Sequence, residues 1–270
     1  MNGEHELGLL AAGVAFYTFL AITPLIAATV MIYGLLGNVD TVQAQMAAIV
    51  ELVPAEAAAV IEDQLLRIVT TSSGVTGLAL SVALFFAIYG AMRAASGTMS
   101  ALNIINRTTE ARPIFKRYLR AAALTIAAIF VAVTGIGSGA VFAWLQTQAK
   151  FLPGSTAPFF FGAAPWFTAF AFGSAAFAII MRYGPDRPAP PWRWLMPGAL
   201  LATLLWIAVS FGFSFYVAYI SDYNATYGSL SAIVVFLMWL FLSAYGVLFG
   251  ALANAEIERQ IGAKTAGTNA

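Results

Sequence analysis

The stretch "SLSAIVVFLMWLFLSAYGVLFGALAN", residues 229–254, contains no charged residue. A helix needs about 20 predominantly apolar residues to cross the hydrocarbon core of a bilayer, so this stretch is long enough to span a membrane. The rest of the chain has the same character: 61% of its 270 residues are hydrophobic and only 9% are charged. Because a soluble domain usually carries about 25% charged residues, the sequence predicts an integral membrane protein.

Charged positions divide the chain into six long uncharged intervals, 7–39, 68–92, 121–149, 151–181, 194–221 and 223–255. Every other uncharged gap is too short to span a bilayer. We therefore predict an all-α polytopic membrane protein with six transmembrane helices, at about 9–36, 74–104, 119–147, 158–181, 194–221 and 229–254. Together they form a single membrane domain over 1–262, and residues 263–270 are predicted to be a disordered C-terminal tail.

The distribution of basic residues predicts how these spans are oriented. The segments that follow the second, fourth and sixth spans, taken together with Arg93, hold 11 of the 13 Lys and Arg residues. The opposite side holds only Arg67 and Lys150. Since basic loops remain in the cytoplasm, both termini are predicted to be cytoplasmic, as an even number of spans requires.

The connection between the first two spans, residues 39–70, is too polar to cross a membrane. Apolar residues recur at helical spacing on both sides of Pro54, which predicts an amphipathic helical hairpin on the outer membrane face. Two interpretations remain open for this hairpin. It is either a solvated connection or a lid over an outward-facing cavity.

Pro24 lies inside the apolar first span, where a helix of a soluble protein would lose about 3 kcal/mol. Membrane helices tolerate proline where nearby hydroxyls satisfy the freed carbonyl, and Thr18 and Thr23 are close in sequence. Kinked spans often lie along the substrate pathway of a transporter. The alternative is that Pro24 makes only a packing kink.

Arg93 heads a polar stripe in the second span, because Ser96, Ser100 and Asn103 follow it at helical spacing. An ionisable residue inside a span is a candidate functional residue, whereas the alternative is that Arg93 snorkels to the cytoplasmic head groups. We expect its guanidinium to face the bundle interior or a cavity. The partners expected there, in spans one, five and six, are Tyr17, Thr18, Ser210, Ser214 and Asn254. With Pro24, these residues make up the predicted cargo-binding or pathway set.

The sequence offers little for catalysis. Cysteine is absent, which excludes disulfides, Cys–zinc sites and thiol catalysis, and the single histidine, His5, lies in a short polar N-terminus. No pair of carboxylates lies within the spans, and no soluble domain carries a basic block that would bind nucleic acid. We therefore predict no catalytic residue, no metal, no cofactor and no nucleic-acid partner, and we expect that the protein is not an enzyme.

Three stretches together resemble the YihY/BrkB family of bacterial inner-membrane proteins: "AAGVAFYTFLAITPLI" (11–26), "SALNIINRTTEARPIFKRY" (100–118) and "YGSLSAIVVFLMWLFLSAYGVLFGALANAEIER" (227–259). The resemblance covers essentially the whole chain, in order and with six-span spacing. One position departs from the family pattern, because Leu252 stands where members commonly have a glutamate. A role for that acid is therefore not carried over.

The resemblance implies a fold and a location more than an activity. Family members are multi-pass proteins of the bacterial cytoplasmic membrane; they once carried the label ribonuclease BN and are also discussed as transporters of lipid-linked or envelope cargo. Three hypotheses follow. The first is a transporter-like protein whose partners are membrane lipids and an amphipathic anionic cargo, the second a scaffold for envelope assembly, and the third a membrane-bound enzyme.

Overall fold

A computed structural model describes residues 7–22, 77–148, 157–219 and 230–268, and over these ranges the regular structure is helical. The helices are α1 (Leu7–Ile22), α2 (Gly77–Ile105), α3 (Ile114–Gln148), α4 (Ala157–Tyr183), α5 (Trp192–Tyr219) and α6 (Ser231–Thr268). Each overlaps one of the predicted spans, which confirms the all-helical prediction. The hairpin predicted at 39–70 and the kink predicted at Pro24 lie outside the described residues.

Three stretches within the described ranges are long and apolar enough to cross a membrane: Ala163–Tyr183, Trp192–Ala218 and Ser231–Ile261. The described part of α1 is apolar but shorter. Length and composition therefore establish a membrane protein with apolar helices, while the count of six spans stays a prediction.

Two helix ends differ from the predicted spans. Helix α3 begins at Ile114, before the predicted start at 119, and so includes Lys116 and Arg117. Helix α6 continues to Thr268, through most of the segment predicted to be a disordered tail. Both differences have one cause: charged and small residues can continue a helix beyond its apolar part, and Ala, Lys, Arg and Gln are good helix formers.

Successive helices pack antiparallel. A Cβ placed on Gly90 of α2 would lie 2.8 Å from the Cα of Ala21, near the end of α1. Gly97, two turns later in α2, approaches Tyr17, which precedes Ala21 in α1. The order of contacts is thus reversed between the two helices.

The four remaining pairs of successive helices pack in the same way, as four contacts show: Arg117 with Ser100, Gly135 with Phe172, Ser174 with Thr203, and Trp239 with Ser210. The loops 106–113 and 184–191 therefore meet at one end of the bundle, which we call the basic end. Leu7, Ile105 and Ala255 share one buried cluster there. The start of α1 and the later part of α6 consequently lie at the same end, as the predicted topology requires.

Burial is uneven along the helices. Apart from Ala87, the described side chains of α2 that are buried lie between Ser96 and Ile105, toward the basic end. In α3 the buried side chains within the described part are Ala121 and Leu124, again near that end. By contrast, α5 buries residues along its whole length and α6 buries them from Val235 to Ala255, and the two form the most extensive helix pair.

Candidate functional site

Arg93 lies close to the middle of α2, since the 12 residues that separate it from Ile105 correspond to about 18 Å of helix. Its side chain is exposed. The Nε donates a hydrogen bond to the Tyr89 hydroxyl at 3.0 Å, and Cζ lies 5.4 Å from the centroid of the Tyr89 ring. Tyr89 precedes Arg93 by one helical turn, so the guanidinium lies beside a residue that is farther from the basic end.

Of the two settings predicted for the Arg93 guanidinium, the bundle interior or a cavity, the structure contradicts the interior, because the side chain is exposed and its hydrogen bond is made within its own helix. The contact with Tyr89 also differs from snorkelling toward the basic end. The physical reason is the direction of side chains on a helix: the Cα–Cβ bond tilts toward the helix N-terminus, which carries Arg93 toward Tyr89.

Two further tyrosines, one from each neighbouring helix, lie near this guanidinium. Tyr17 of α1 packs over Gly97, one turn after Arg93, and the hydroxyls of Tyr17 and of Tyr118 in α3 lie in the neighbourhood of the guanidinium. All three tyrosine side chains are more than a third exposed. We call Arg93, Tyr17, Tyr89 and Tyr118 the Arg93 cluster.

The Arg93 cluster has the chemistry of an anion site. A guanidinium offers a planar fork of donors that matches carboxylate and phosphate oxygens, and a tyrosine hydroxyl can donate one more hydrogen bond. In the described part of the chain, no acidic side chain forms an ion pair with Arg93. Among these same residues, the Nη groups of Arg93 also make no hydrogen bond, so a ligand could bind them.

Toward the basic end, the next two residues of the polar stripe lie in different surroundings, Ser100 on the outer side of α2 and Ser96 on its inner side. On the outer side, Ser100 accepts a hydrogen bond from Nη2 of Arg117 at 2.9 Å and donates one to the carbonyl of Ser96. On the inner side, the Ser96 side chain is buried, and its hydroxyl has no hydrogen-bond partner among the residues described. Arg117 thus supplies a second guanidinium two turns from the first.

Asn103 belongs to a different structure, a set of contacts that joins the loops of the basic end. Its Nδ2 donates to Glu110 at 2.9 Å, and its Oδ1 accepts from the backbone N–H of Asp186 at 2.7 Å. Arg112 lies 2.6 Å from Glu110 and 3.4 Å from Asp186, and it also donates to the carbonyl of Gly184. We call these contacts the loop lock. Asn103 is buried and holds two loops together.

The loop lock predicts an acid-dependent loss of stability. Burial raises the pKa of Glu110. The opposing effect is larger, because hydrogen bonds from Arg112 and Asn103 and the charge of Arg112 all lower this pKa, so it lies below its ordinary value of 4.5. The ionised carboxylate therefore stabilises the fold above pH 4.5, and this contribution is lost as the pH falls through the lowered value. Glu110→Gln should lower the free energy of unfolding by about 1.5–3 kcal/mol at pH 7. In detergent, the melting temperature of Glu110→Gln should lie below that of wild type at pH 7, and the gap between the two should become smaller in acid.

Glu256→Gln is the matched control, since Glu256 pairs with Arg259 on an exposed part of α6. Exposed pairs contribute about 0–1 kcal/mol, so this variant should melt close to wild type at every pH. If the melting temperature of Glu110→Gln stayed equally far below that of wild type down to pH 3, ionised Glu110 would not be the stabilising group.

Asn254 joins α5 to α6. Its Oδ1 accepts from the backbone N–H of Gly198 at 2.7 Å, and its Nδ2 donates to the carbonyl of Leu195 at 2.8 Å. Pro197, which has no N–H, lies between these two residues and interrupts the hydrogen-bond ladder of α5. The buried amide of Asn254 therefore bonds the α5 backbone on both sides of Pro197, and we call this contact the Asn254 clamp.

The remaining predicted site residues lie in packing contacts or outside the described ranges. Thr18 donates to the carbonyl of Val14 in its own helix, and Ser210 accepts from Nε1 of Trp239. Ser214 is half-buried in α5, and Pro24 is not among the described residues. Of the five partners expected for Arg93, the structure brings Tyr17 to it.

An apolar groove of about 490 Å³ opens between α5 and α6, in the half of the pair away from the basic end. Leu205, Val209, Phe213 and Met238 are among its lining residues. Within the described ranges, no group of three or more His, Cys, Asp or Glu side chains is placed to hold a metal ion.

A comparison with known protein families identifies the family of this chain. The family model described as "Virulence factor BrkB" matches residues 2–270, which is nearly the whole sequence. The chain belongs to the BrkB family. The resemblance found in the three sequence stretches is therefore confirmed, and with it the assignment as an integral membrane protein.

Curated relatives of this BrkB-family chain include two UPF0761 membrane proteins. The one from Alkalilimnicola ehrlichii is 30% identical over 267 residues, which cover 96% of this chain and 57% of the relative. That of Rhodospirillum centenum, RC1_0578, is 32% identical over 197 residues, 69% of this chain and 38% of the relative. A shorter match, 44% identical over 68 residues and 25% of each chain, is to the putative ribonuclease-like protein YfkH of Bacillus subtilis.

These matches cover less than two thirds of the length of each relative. No solved structure matches the chain.

Sequence reasoning missed three residues of this BrkB-family site. Tyr89 could have been found from its spacing, because residues four apart on a helix are neighbours. Tyr118 and Arg117 could not, because their positions depend on how α3 packs against α2.

Proposed function

We propose that this protein is transporter-like and moves, or exposes for movement, an amphipathic anionic cargo of the lipid-linked or envelope class. The observation that carries the proposal is the Arg93 cluster, a guanidinium with three tyrosines from three helices on the exposed side of α2. A cargo phosphate or carboxylate would bind Arg93, and its apolar chain would lie along the neighbouring surface.

The energetics of an arginine in the membrane favour an anionic ligand. A charge that faces hydrocarbon costs about 2.5–3.5 kcal/mol on insertion scales, so the exposed Arg93 is stabilised by any anion that reaches it. Phe85 and Phe86, which precede Tyr89 in α2, are exposed large hydrophobic residues that can contact an acyl or prenyl chain. A headgroup and a chain could thus bind side by side on one helix.

The site is proposed to work in the bacterial inner membrane, in a protein with six spans and cytoplasmic termini. The alternation of helix directions and the position of the basic loops at one end support this orientation. Helices α4, α5 and α6, with their long apolar stretches, support the spans themselves.

Cysteine labelling tests the orientation, because the natural chain has no thiol. Thr109→Cys and Ala189→Cys, both exposed in loops of the basic end, should react with a membrane-impermeant maleimide only from the cytoplasmic side. Glu56→Cys, in the predicted external hairpin, should react only from outside. Labelling of residues 56 and 109 from the same side would contradict six spans with this orientation.

Transport in proteoliposomes tests the function. Purified protein should accelerate the movement of a fluorescent phospholipid, or of a polyprenyl-phosphate or lipid A-type cargo, between leaflets or to an acceptor. A neutral analogue that lacks the phosphate is the control and should move no faster than in protein-free vesicles. Failure with all of the anionic cargoes would contradict the proposal.

A non-transporting scaffold for envelope assembly is the second candidate. The loop lock and the Asn254 clamp favour it, because both hold helices in fixed relative positions at the basic end. The two candidates differ in one observable: a scaffold would lose activity when a docking surface is altered, whereas a transporter would lose it when Arg93 is altered.

Enzymatic activity is not part of the proposal. One relative is named putative ribonuclease-like, and that name describes the relative. Cleavage of RNA by the purified protein, at a rate that survives removal of contaminating nucleases, would require the enzyme hypothesis to be reopened.

A further inference from the structure

The acidic residues of the basic end are all engaged with arginines. Within the described ranges the acidic residues are Glu110, Asp186, Glu256 and Glu258, and each lies within 4 Å of an arginine. Arg187 and Glu258 pair through two hydrogen bonds, and Arg259 also reaches the carbonyl of Ile105. The other cations of this end therefore have no acidic partner in the described part of the chain.

Two of those cations, Lys116 and Arg120, lie in the first two turns of α3. Lys116 and Arg120 are both exposed and four residues apart, so they are neighbours on one face of the helix. The first turn of α3 contains no acidic residue that would compensate them. Like charges at this spacing repel each other, which an anion bound between them would relieve.

Large apolar side chains flank the same pair. Phe115 and Leu119 are 78% and 60% exposed, and they also lie four residues apart. Cations beside exposed apolar groups at the end of a membrane helix match the boundary between head groups and acyl chains. A soluble anion would use the charges but leave Phe115 and Leu119 in water.

We infer that Lys116, Arg120, Phe115 and Leu119, which we call the α3 patch, bind the head group and the upper acyl chain of an anionic phospholipid. The phosphate lies between the ammonium and the guanidinium, and the two apolar side chains contact the chain below it. This goes beyond the proposed function, because the lipid is bound at the interface and need not be moved.

Native mass spectrometry of the detergent-purified protein, titrated with phosphatidylglycerol, tests the inference. A Lys116→Gln/Arg120→Gln variant should bind the first phosphatidylglycerol roughly 30-fold more weakly than wild type, since each basic residue near an anionic surface contributes about a factor of five. The control variant, Arg107→Gln/Arg193→Gln, removes the same charge from exposed positions at the same end and should bind within about threefold of wild type.

The wild-type protein provides an independent measurement. Phosphatidylglycerol should raise its melting temperature, while phosphatidylcholine and inorganic phosphate should not, and a Phe115→Ala variant should lose part of the effect. Equal weakening in both charge variants would show that net charge alone matters and would overturn the inference. Equal stabilisation by inorganic phosphate would overturn it too, since a free anion would then be the ligand.

Discussion

Replacing Gly198 by alanine is expected to destabilise the protein by about 3 kcal/mol, because a Cβ at this position has no space. It would overlap the Asn254 side chain and the carbonyl of Gly250. Neither can move easily: the Asn254 amide is held by two backbone hydrogen bonds, and the Gly250 carbonyl belongs to the α6 backbone. The variant should accumulate poorly in membranes and melt several degrees lower in detergent.

Gly212→Ala is the matched control for this prediction. Gly212 lies in the same helix, and a Cβ there would have no atom within 4 Å. Since alanine favours the helix over glycine by about 0.5–1 kcal/mol, this variant should be as stable as wild type or slightly more stable. If Gly198→Ala and Gly212→Ala melt alike, then α5 and α6 do not approach as closely as the structure indicates.

Arg93→Ala is expected to reduce cargo movement by about 10- to 100-fold while the protein still inserts and folds. Removing a charged hydrogen-bond donor costs about 1.5–3 kcal/mol of binding, which corresponds to that range. Stability should change little, because Arg93 is exposed and contacts Tyr89 of its own helix. Arg93→Lys should also be impaired, since an ammonium group lacks the bidentate fork that fits a phosphate or carboxylate.

The measurement is the initial rate of cargo movement in proteoliposomes, normalised to the amount of inserted protein. Thr98→Val is the control, because Thr98 lies in the same helix and its hydroxyl donates to the Ala94 carbonyl of that helix. That variant should retain wild-type activity. Full activity of both Arg93 variants would mean that Arg93 is not the anion-binding residue.

The sequence predicted the helices better than the site. Uncharged intervals located the apolar part of each helix, because crossing hydrocarbon leaves few alternatives to a long apolar segment. The same criterion placed the start of α3 too late, since a helix can begin in the head-group region with charged residues such as Lys116. The position of a span thus follows from the need for apolar residues in hydrocarbon, whereas the residue at which a helix begins or ends depends on local contacts.

The roles of individual side chains were harder to predict. Helical spacing shows which residues share one face of a helix, but it does not show which residues of other helices or loops they contact. Arg93 and Asn103 were placed on one stripe, yet Arg93 is exposed beside Tyr89 and Asn103 is buried in the loop lock. Asn254 was expected near Arg93 but bonds the α5 backbone on both sides of Pro197. For Asn103 and Asn254 the deciding groups lie on another helix or loop, and a single sequence does not specify that pairing.

The loop lock has a mechanical consequence for a protein that would have to pass a cargo. It holds α2, α3 and α4 together at one end, where the buried side chains of α2 and α3 are also concentrated. Any rearrangement that keeps these bonds must use that end as a pivot. Since α3, with 35 residues, is about 52 Å long, a tilt of about 5° would displace its far end by about 4.5 Å. Rocking of this kind would open the bundle first on the side away from the basic end.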